Sequence, residues 1–197
     1  MISKILFIRH GITEGNARRW YYGATDIPLL EEGIEALSKL RDSGIYPASD
    51  KASFYTSGML RTEQTLETIY GDVPHGVLPL FREMNFGEWE CRTFDSLKSE
   101  PLFDTWVNDT TGTIAYPGGD SIESFKARVI EGVKVLMELH GNENPETIVV
   151  CHGGVIAGIM EHCFLNERES FWHWIPEPGH GYSLTLDGDE VTGYDSF

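Results

Sequence analysis

Short, uninterrupted apolar runs alternate along the chain with segments whose apolar residues recur every three or four positions. Residues 4–8 (KILFI) and 147–151 (TIVVC) are continuous and rich in β-branched side chains. That is the mark of strands covered on both faces. Residues 53–57 (SFYTS) read as another short strand and 76–80 (GVLPL) as a weaker one. Leu30, Ile34, Leu37 and Leu40 have helical spacing within 29–44, where Gly44 marks the end. Met59, Thr62, Leu66 and Ile69 repeat the spacing within 59–71. The longest pattern runs through Ile122, Phe125, Val129, Val133 and Leu136. Asp120 and Glu123 read as its capping box, and His140 with Gly141 as its end. A helix follows TIVVC from Gly153, and 181–196 alternate about Asp187-Gly188 as a terminal hairpin.

Strands that alternate with helices predict an α/β fold: a doubly wound, mostly parallel sheet with helices on both faces. Residues 83–120 break the rhythm, offering short helical turns but no long period. They read as a segment inserted into a single domain over 1–197, covering the carboxyl ends of the strands. Ligands of open α/β sheets bind at those ends.

Composition narrows the partners. The chain has 197 residues, 41% hydrophobic and 23% charged, with a formal net charge of −16. Such a surface repels nucleic acid and anionic lipid, so neither is expected as a partner. Cys91, Cys151 and Cys163 form no regular disulfide framework. With no leader pattern and no apolar segment near the ~18 residues of a membrane span, they read as reduced thiols of a cytoplasmic protein. The sequence leaves homo-oligomerisation open.

Within this acidic chain the predicted strand ends gather cations. Arg9 and His10 close the first buried strand, His152 closes another, and Arg61 lies in the first turn after Ser57-Gly58. Arg18 and Arg19 lie nearby in sequence. Guanidinium groups match phosphate oxygens, and a neutral imidazole is a competent nucleophile toward phosphorus. Gly11 and Gly153-Gly154 would let backbone N–H groups approach an anion, and the helix after His152 would offer its positive end. Taken singly, each residue has a plainer reading: a solvated edge for Arg9-His10, a hydrogen-bonded core histidine for His152, a helix-surface cation for Arg61. Their joint placement favours a phosphate site.

Arg9, His10, Gly11, Thr13 and Asn16 form R-H-G-x-T-x-x-N, which resembles the histidine phosphatase superfamily, also called phosphoglycerate-mutase-like. The similarity extends through YYGATDIPLLEEG (21–33), SGMLRTEQT (57–65), LFREMNFGEWE (80–90) and CHGG (151–154). The resemblance implies that His10 attacks phosphorus, that Arg9, Arg61 and His152 neutralise its oxygens, and that Asn16 hydrogen-bonds the phosphate. It implies that Glu83 protonates the leaving oxygen, that Tyr22 and Gly23 meet the substrate, and that no metal or other cofactor is used. His10 must be neutral to attack, and the surrounding cations oppose its protonation.

Two positions depart from the pattern. Cys91 stands where the family has glycine after W-E, and Leu30 stands where a capping Ser or Thr is usual. Cys151, His152, His162 and Cys163 invite a metal reading, but three helical turns separate the two pairs, so they would not share an ion. His173, His180 and the FWHW stretch (171–174) read as packing around the returning chain, with a substrate wall as the alternative. The expected activity is hydrolysis of small phosphate monoesters through a phosphohistidine, nearest the α-ribazole phosphatase branch. A phosphoglycerate mutase and a catalytically silent phospho-ligand-binding protein are the alternatives.

Overall fold

The structure is a computed structural model and describes residues 2–48, 51–140, 145–165 and 167–197. In chain order its elements are β1 (Ile2–Arg9), α1 (Glu14–Ala17), β2 (Trp20–Tyr21), α2 (Glu31–Asp42), β3 (Ala52–Thr56), α3 (Leu60–Tyr70) and β4 (His75–Val77). There follow β5 (Arg92–Thr93), α4 (Phe94–Leu97), α5 (Pro101–Val107), α6 (Ile122–Leu139), β6 (Glu146–Cys151), α7 (Gly153–Cys163), β7 (Gly181–Asp187) and β8 (Glu190–Ser196). The main sheet has the order β4-β3-β6-β1-β7-β8. β4, β3, β6 and β1 run parallel, and β7 pairs antiparallel with both β1 and β8. The mostly parallel sheet and the terminal hairpin agree with the sequence pattern.

The continuous apolar strands divide their residues between two cores. Ile5 and Phe7 of β1 join Val149 and Cys151 of β6 under Phe125 and Val129 of α6 and Val155 and Ile159 of α7. Leu6, Ile8, Ile148 and Val150 point the other way, against Leu37 of α2 and Leu66 and Ile69 of α3. Each such fully buried side chain contributes about 1.5–3 kcal/mol relative to exposure. Register then fixes the site. Arg9 pairs with Cys151, so His10 and His152 leave neighbouring strands at one level. Thr56 pairs with Val150, which brings Ser57 alongside.

Local details differ from the sequence reading. The α6 capping box uses Ser121 and Ser124, one residue later than expected. Asp120 is engaged elsewhere, accepting from Asn85 N and Arg128 Nη2. In α2 the buried face runs through Gly33 and Leu37, while Ile34 is 38% exposed. β4 ends at Val77, and Pro79–Phe81 forms a 3-10 turn, because Pro79 cannot donate to a ladder. Leu30 caps α2 without a side-chain hydrogen bond. Gly141 lies outside the described residues.

Residues 83–120 carry their own aromatic cluster. Trp89 packs edge-on against Phe103, Trp106 and Tyr116, and Tyr21 of β2 joins Phe86, Phe103 and Trp106. β2 pairs with β5, tying this segment to the loop after β1. Cys91 adopts φ 59, so it takes the left-handed turn that glycine would take without strain. Holding a non-glycine residue there costs about 1 kcal/mol. Among the described residues no helix is long and apolar enough to cross a membrane.

Candidate active site

A cavity of about 420 Å³ opens at the carboxyl ends of the parallel strands. Its deep end is lined by Arg9, His10, Asn16, Arg61 and Glu83, with Gly153 and Gly154. Tyr22 lies in the lining as well, and Trp20, Tyr21, Phe86, Phe94, Phe171 and Trp172 form aromatic walls beyond it. Neither His152 nor Gly23 lines it; both stand behind Arg61.

His10 follows β1 directly, and its backbone N–H bonds Cys151 O at 3.0 Å. The ring is 4% exposed. Nδ1 lies 2.7 Å from the Gly11 carbonyl, which can only accept, so Nδ1 carries the proton. Nε2 is left with its lone pair free. Burial holds the ring well below the ordinary imidazole range, and Arg61 and then Arg9 add to the effect. The neutral, correctly tautomeric imidazole required of a nucleophile is therefore built in. Gly11 plays a different part from the one expected. Its N–H bonds Thr65 Oγ at 3.0 Å, and a Cβ there would stand 2.7 Å from Leu37 Cδ1. The glycine admits the packing of α2 rather than an anion.

Arg61 is fully buried. Nη2 donates to Gly23 O at 2.8 Å, Nη1 to Thr25 O at 3.0 Å and Nε to His152 Nδ1 at 3.3 Å. The guanidinium also lies 5.2 Å from the Tyr22 ring centroid. Three of its five N–H groups are thus occupied, and the rest can serve a ligand in the cavity. Since His152 Nδ1 accepts, Nε2 carries the proton and reaches Ser57 Oγ at 2.8 Å. Ser57 Oγ continues to Thr62 Oγ at 3.1 Å, which donates to Met59 O. His152 is fully buried, with its ring 5.2 Å from that of His10, and burial, Arg61 and His10 depress its pKa. It orders Arg61 and excludes charge from beside His10.

Arg9 donates Nη1–H to Pro176 O at 2.7 Å. Its buried Nε has no partner among the described residues. Asn16 Oδ1 is fixed by Thr13 N–H at 2.9 Å and the Tyr22 hydroxyl at 3.1 Å, which leaves its Nδ2 donors to the cavity. Tyr22 is 8% exposed; it orients Asn16 and lies beneath the Arg61 guanidinium. A Cβ on Gly23 would lie 1.7 Å from Met84 O, so only glycine fits.

Glu83 accepts Gly154 N–H on Oε2 and Met84 N–H on Oε1, both at 2.9 Å. The first amide of α7 facing this region thus holds Glu83, where the sequence reading gave it to the anion. Trp89 lies in the aromatic cluster of residues 83–120, while Phe86 and Phe94 line the cavity. Arg128 of α6 clamps the approach to Glu83 by donating to the carbonyls of Leu80, Arg82 and Glu83 and to Asp120. Sequence reasoning missed Arg128, Ser57 and Glu90. Arg128 resembles any helix-surface cation, and only the fold shows the carbonyls it meets. Among the described residues no cluster of three His, Cys, Asp or Glu side chains is arranged to hold a metal.

The two depressed histidines couple stability to pH. Below about pH 6.5 the unfolded chain protonates both rings while the folded protein keeps them neutral. The unfolded state then binds more protons, so each ring lowers stability by up to about 1.4 kcal/mol per pH unit as pH falls, until its folded pKa is passed. Urea titrations between pH 7.5 and 5.5 should show a shallower loss in His10→Asn than in the parent. Equal slopes would mean that the folded ring titrates normally.

A family profile described as histidine phosphatase superfamily (branch 1) matches residues 5–193. The adenosylcobalamin/α-ribazole phosphatase of Salmonella typhimurium is 27% identical over 180 residues, covering 89% of this chain and 87% of that protein. A probable phosphoglycerate mutase GpmB of Yersinia pestis is 31% identical over 167 residues, covering 80% and 73%. The crystal structure of a putative α-ribazole-5′-P phosphatase from Escherichia coli superposes with a TM-score of 0.84 at 25% identity, covering 96% of this chain and 93% of that one.

Proposed function

The chain belongs to the histidine phosphatase superfamily, and from that premise we propose that it hydrolyses small phosphate monoesters with a flat, largely apolar alcohol part through a phosphohistidine. The observation that carries this reading is His10: a buried, neutral imidazole whose Nδ1 is tied to Gly11 O and whose neighbours in the cavity are guanidinium groups. Nε2 attacks phosphorus as the ester P–O bond breaks, and Glu83 delivers a proton to the departing oxygen. A singly protonated substrate phosphate supplies that proton. Water then attacks phosphorus, the N–P bond breaks, and Glu83 takes up the proton. Arg9, Arg61 and Asn16 hold the phosphoryl oxygens throughout. Their donors are fixed before reaction, so little reorganisation opposes the transition state. Tyr22 lines the cavity beside Asn16 and Arg61, whereas Gly23 acts behind Arg61 through its carbonyl.

The aromatic walls favour the flat alcohol part, since ring faces stack on apolar planes. Beyond the phosphate end, Arg19 is the one cationic residue lining the cavity among the described residues. That suits a neutral leaving alcohol better than the carboxylate of a phosphoglycerate, and so favours the phosphatase over the mutase. The retained His10, Arg9, Arg61, Glu83 and His152 argue against a silent binding protein. The test is a panel of phosphate esters, α-ribazole-5′-phosphate among them, with chelator present. Release of inorganic phosphate, fastest from esters of flat apolar alcohols, is expected. Interconversion of phosphoglycerate isomers without phosphate release would contradict the reading.

A further inference from the structure

Glu90 lies outside the cavity, yet its carboxylate gathers more donors than any group at the phosphate end. Oε1 accepts N–H bonds from Gly23 at 2.9 Å, Ala24 at 3.0 Å and Phe86 at 2.9 Å. Oε2 accepts the Thr25 N–H at 3.0 Å and the Thr25 hydroxyl, with a longer contact to Gly23 N at 3.2 Å. Three successive backbone N–H groups converging on one anion form a nest. Here the anion is the protein's own side chain.

The other face of the same loop holds Arg61. Gly23 O and Thr25 O accept from Nη2 and Nη1. One peptide unit does both jobs: its N–H, on Ala24, points to Glu90, and its C=O, on Gly23, points to Arg61. A planar trans peptide keeps those two groups antiparallel, so fixing one end fixes the other. Glu90 is also among the negative charges that favour the protonated guanidinium of buried Arg61.

We propose that Glu90 is a positioning residue of the phosphoryl cradle: it locks residues 23–25 so that their carbonyls aim the free N–H groups of Arg61 at the bound phosphoryl oxygens. The proposal rests on the phosphate site argued above. Without Glu90 the loop amides turn to water, the carbonyls swing with them, and Arg61 loses its orientation while keeping its charge.

The test is a double-mutant cycle read in binding of inorganic vanadate, which needs no turnover. Glu90→Gln should weaken vanadate binding about 10- to 100-fold, the range expected for disturbed hydrogen bonds to a charged group. In an Arg61→Met background the same substitution should change it less than about twofold. A general loss of stability would instead act alike in both backgrounds, and that additivity would overturn the proposal. If Glu90→Gln melts below the assay temperature, Thr25→Ala removes a single donor. A weakening of about threefold that vanishes with Arg61→Met supports the proposal, and unchanged vanadate binding in Thr25→Ala overturns it. Coupling seen in a protein that hydrolyses no ester supports this inference while refuting the phosphatase reading. Hydrolysis with additive effects does the reverse.

Discussion

His10→Ala lowers kcat/KM for an aryl phosphate by about 10⁴-fold or more, the loss expected when a covalent nucleophile is removed. The reason is positional as well as chemical. Among the described residues lining the cavity, His10 is the sole imidazole, and Arg9 and Arg61 cannot deprotonate to replace it. His152, the nearest other ring, is committed at both nitrogens, to Arg61 and to Ser57. The variant should still fold, because the ring abuts the cavity and, among the described residues, its side-chain hydrogen bond is to the adjacent Gly11. It should also still bind inorganic phosphate, since Arg9, Arg61 and Asn16 remain. Steady-state kinetics, with circular dichroism and calorimetric phosphate binding as controls, check all three. Activity within a few-fold of the parent would remove His10 from its role.

Glu83→Gln separates leaving groups. An alkyl ester needs its oxygen protonated as the bond breaks, and general acid catalysis contributes about 10²–10⁴-fold. A nitrophenyl ester leaves as a stable anion and needs far less help. The variant should therefore lose about two orders of magnitude or more on alkyl esters and only a few-fold on the activated one. The amide keeps one acceptor oxygen for either the Gly154 or the Met84 N–H and loses the other bond, so thermal melting of the variant is the control for local disturbance. Equal losses on both esters would take Glu83 out of the acid role and leave it as a structural tie to α7.

The sheet and its two cores were legible because continuous β-branched runs and helical apolar spacing depend on short-range order. Arg9, His10, Arg61 and His152 were legible for a related reason: each sits at a strand end or first helical turn, where an α/β sheet must place its ligand. What could not be read was hydrogen-bond commitment. Gly11 looked like an anion contact and is a packing glycine against Leu37. Gly154 looked free and holds Glu83. Glu90 was legible only as part of a motif, not by what it holds, since its loop partners Gly23, Ala24 and Thr25 lie 65 to 67 residues away. Arg128 has no periodic signature, and the carbonyls it meets lie 45 to 48 residues away. Cys91 shows the converse: its left-handed φ is a conformation the residue type alone does not announce.

Those commitments explain how an acidic chain of net charge −16 can favour an anion at one place. Arg61 is buried and held by two carbonyls, Arg9 keeps a buried donor unpaired, and α7 and its neighbours exclude solvent charge from beside them. Local, low-dielectric contacts outweigh a screened surface field at that distance.

The most direct measurement is a rapid quench into base during turnover of a good aryl ester, followed by mass spectrometry of the peptide that contains His10. A transient phosphoryl group on His10, lost on acid treatment and absent from His10→Ala, is the predicted result. Turnover at full rate with no phosphoryl group on that ring, or with the label on another residue, would contradict it.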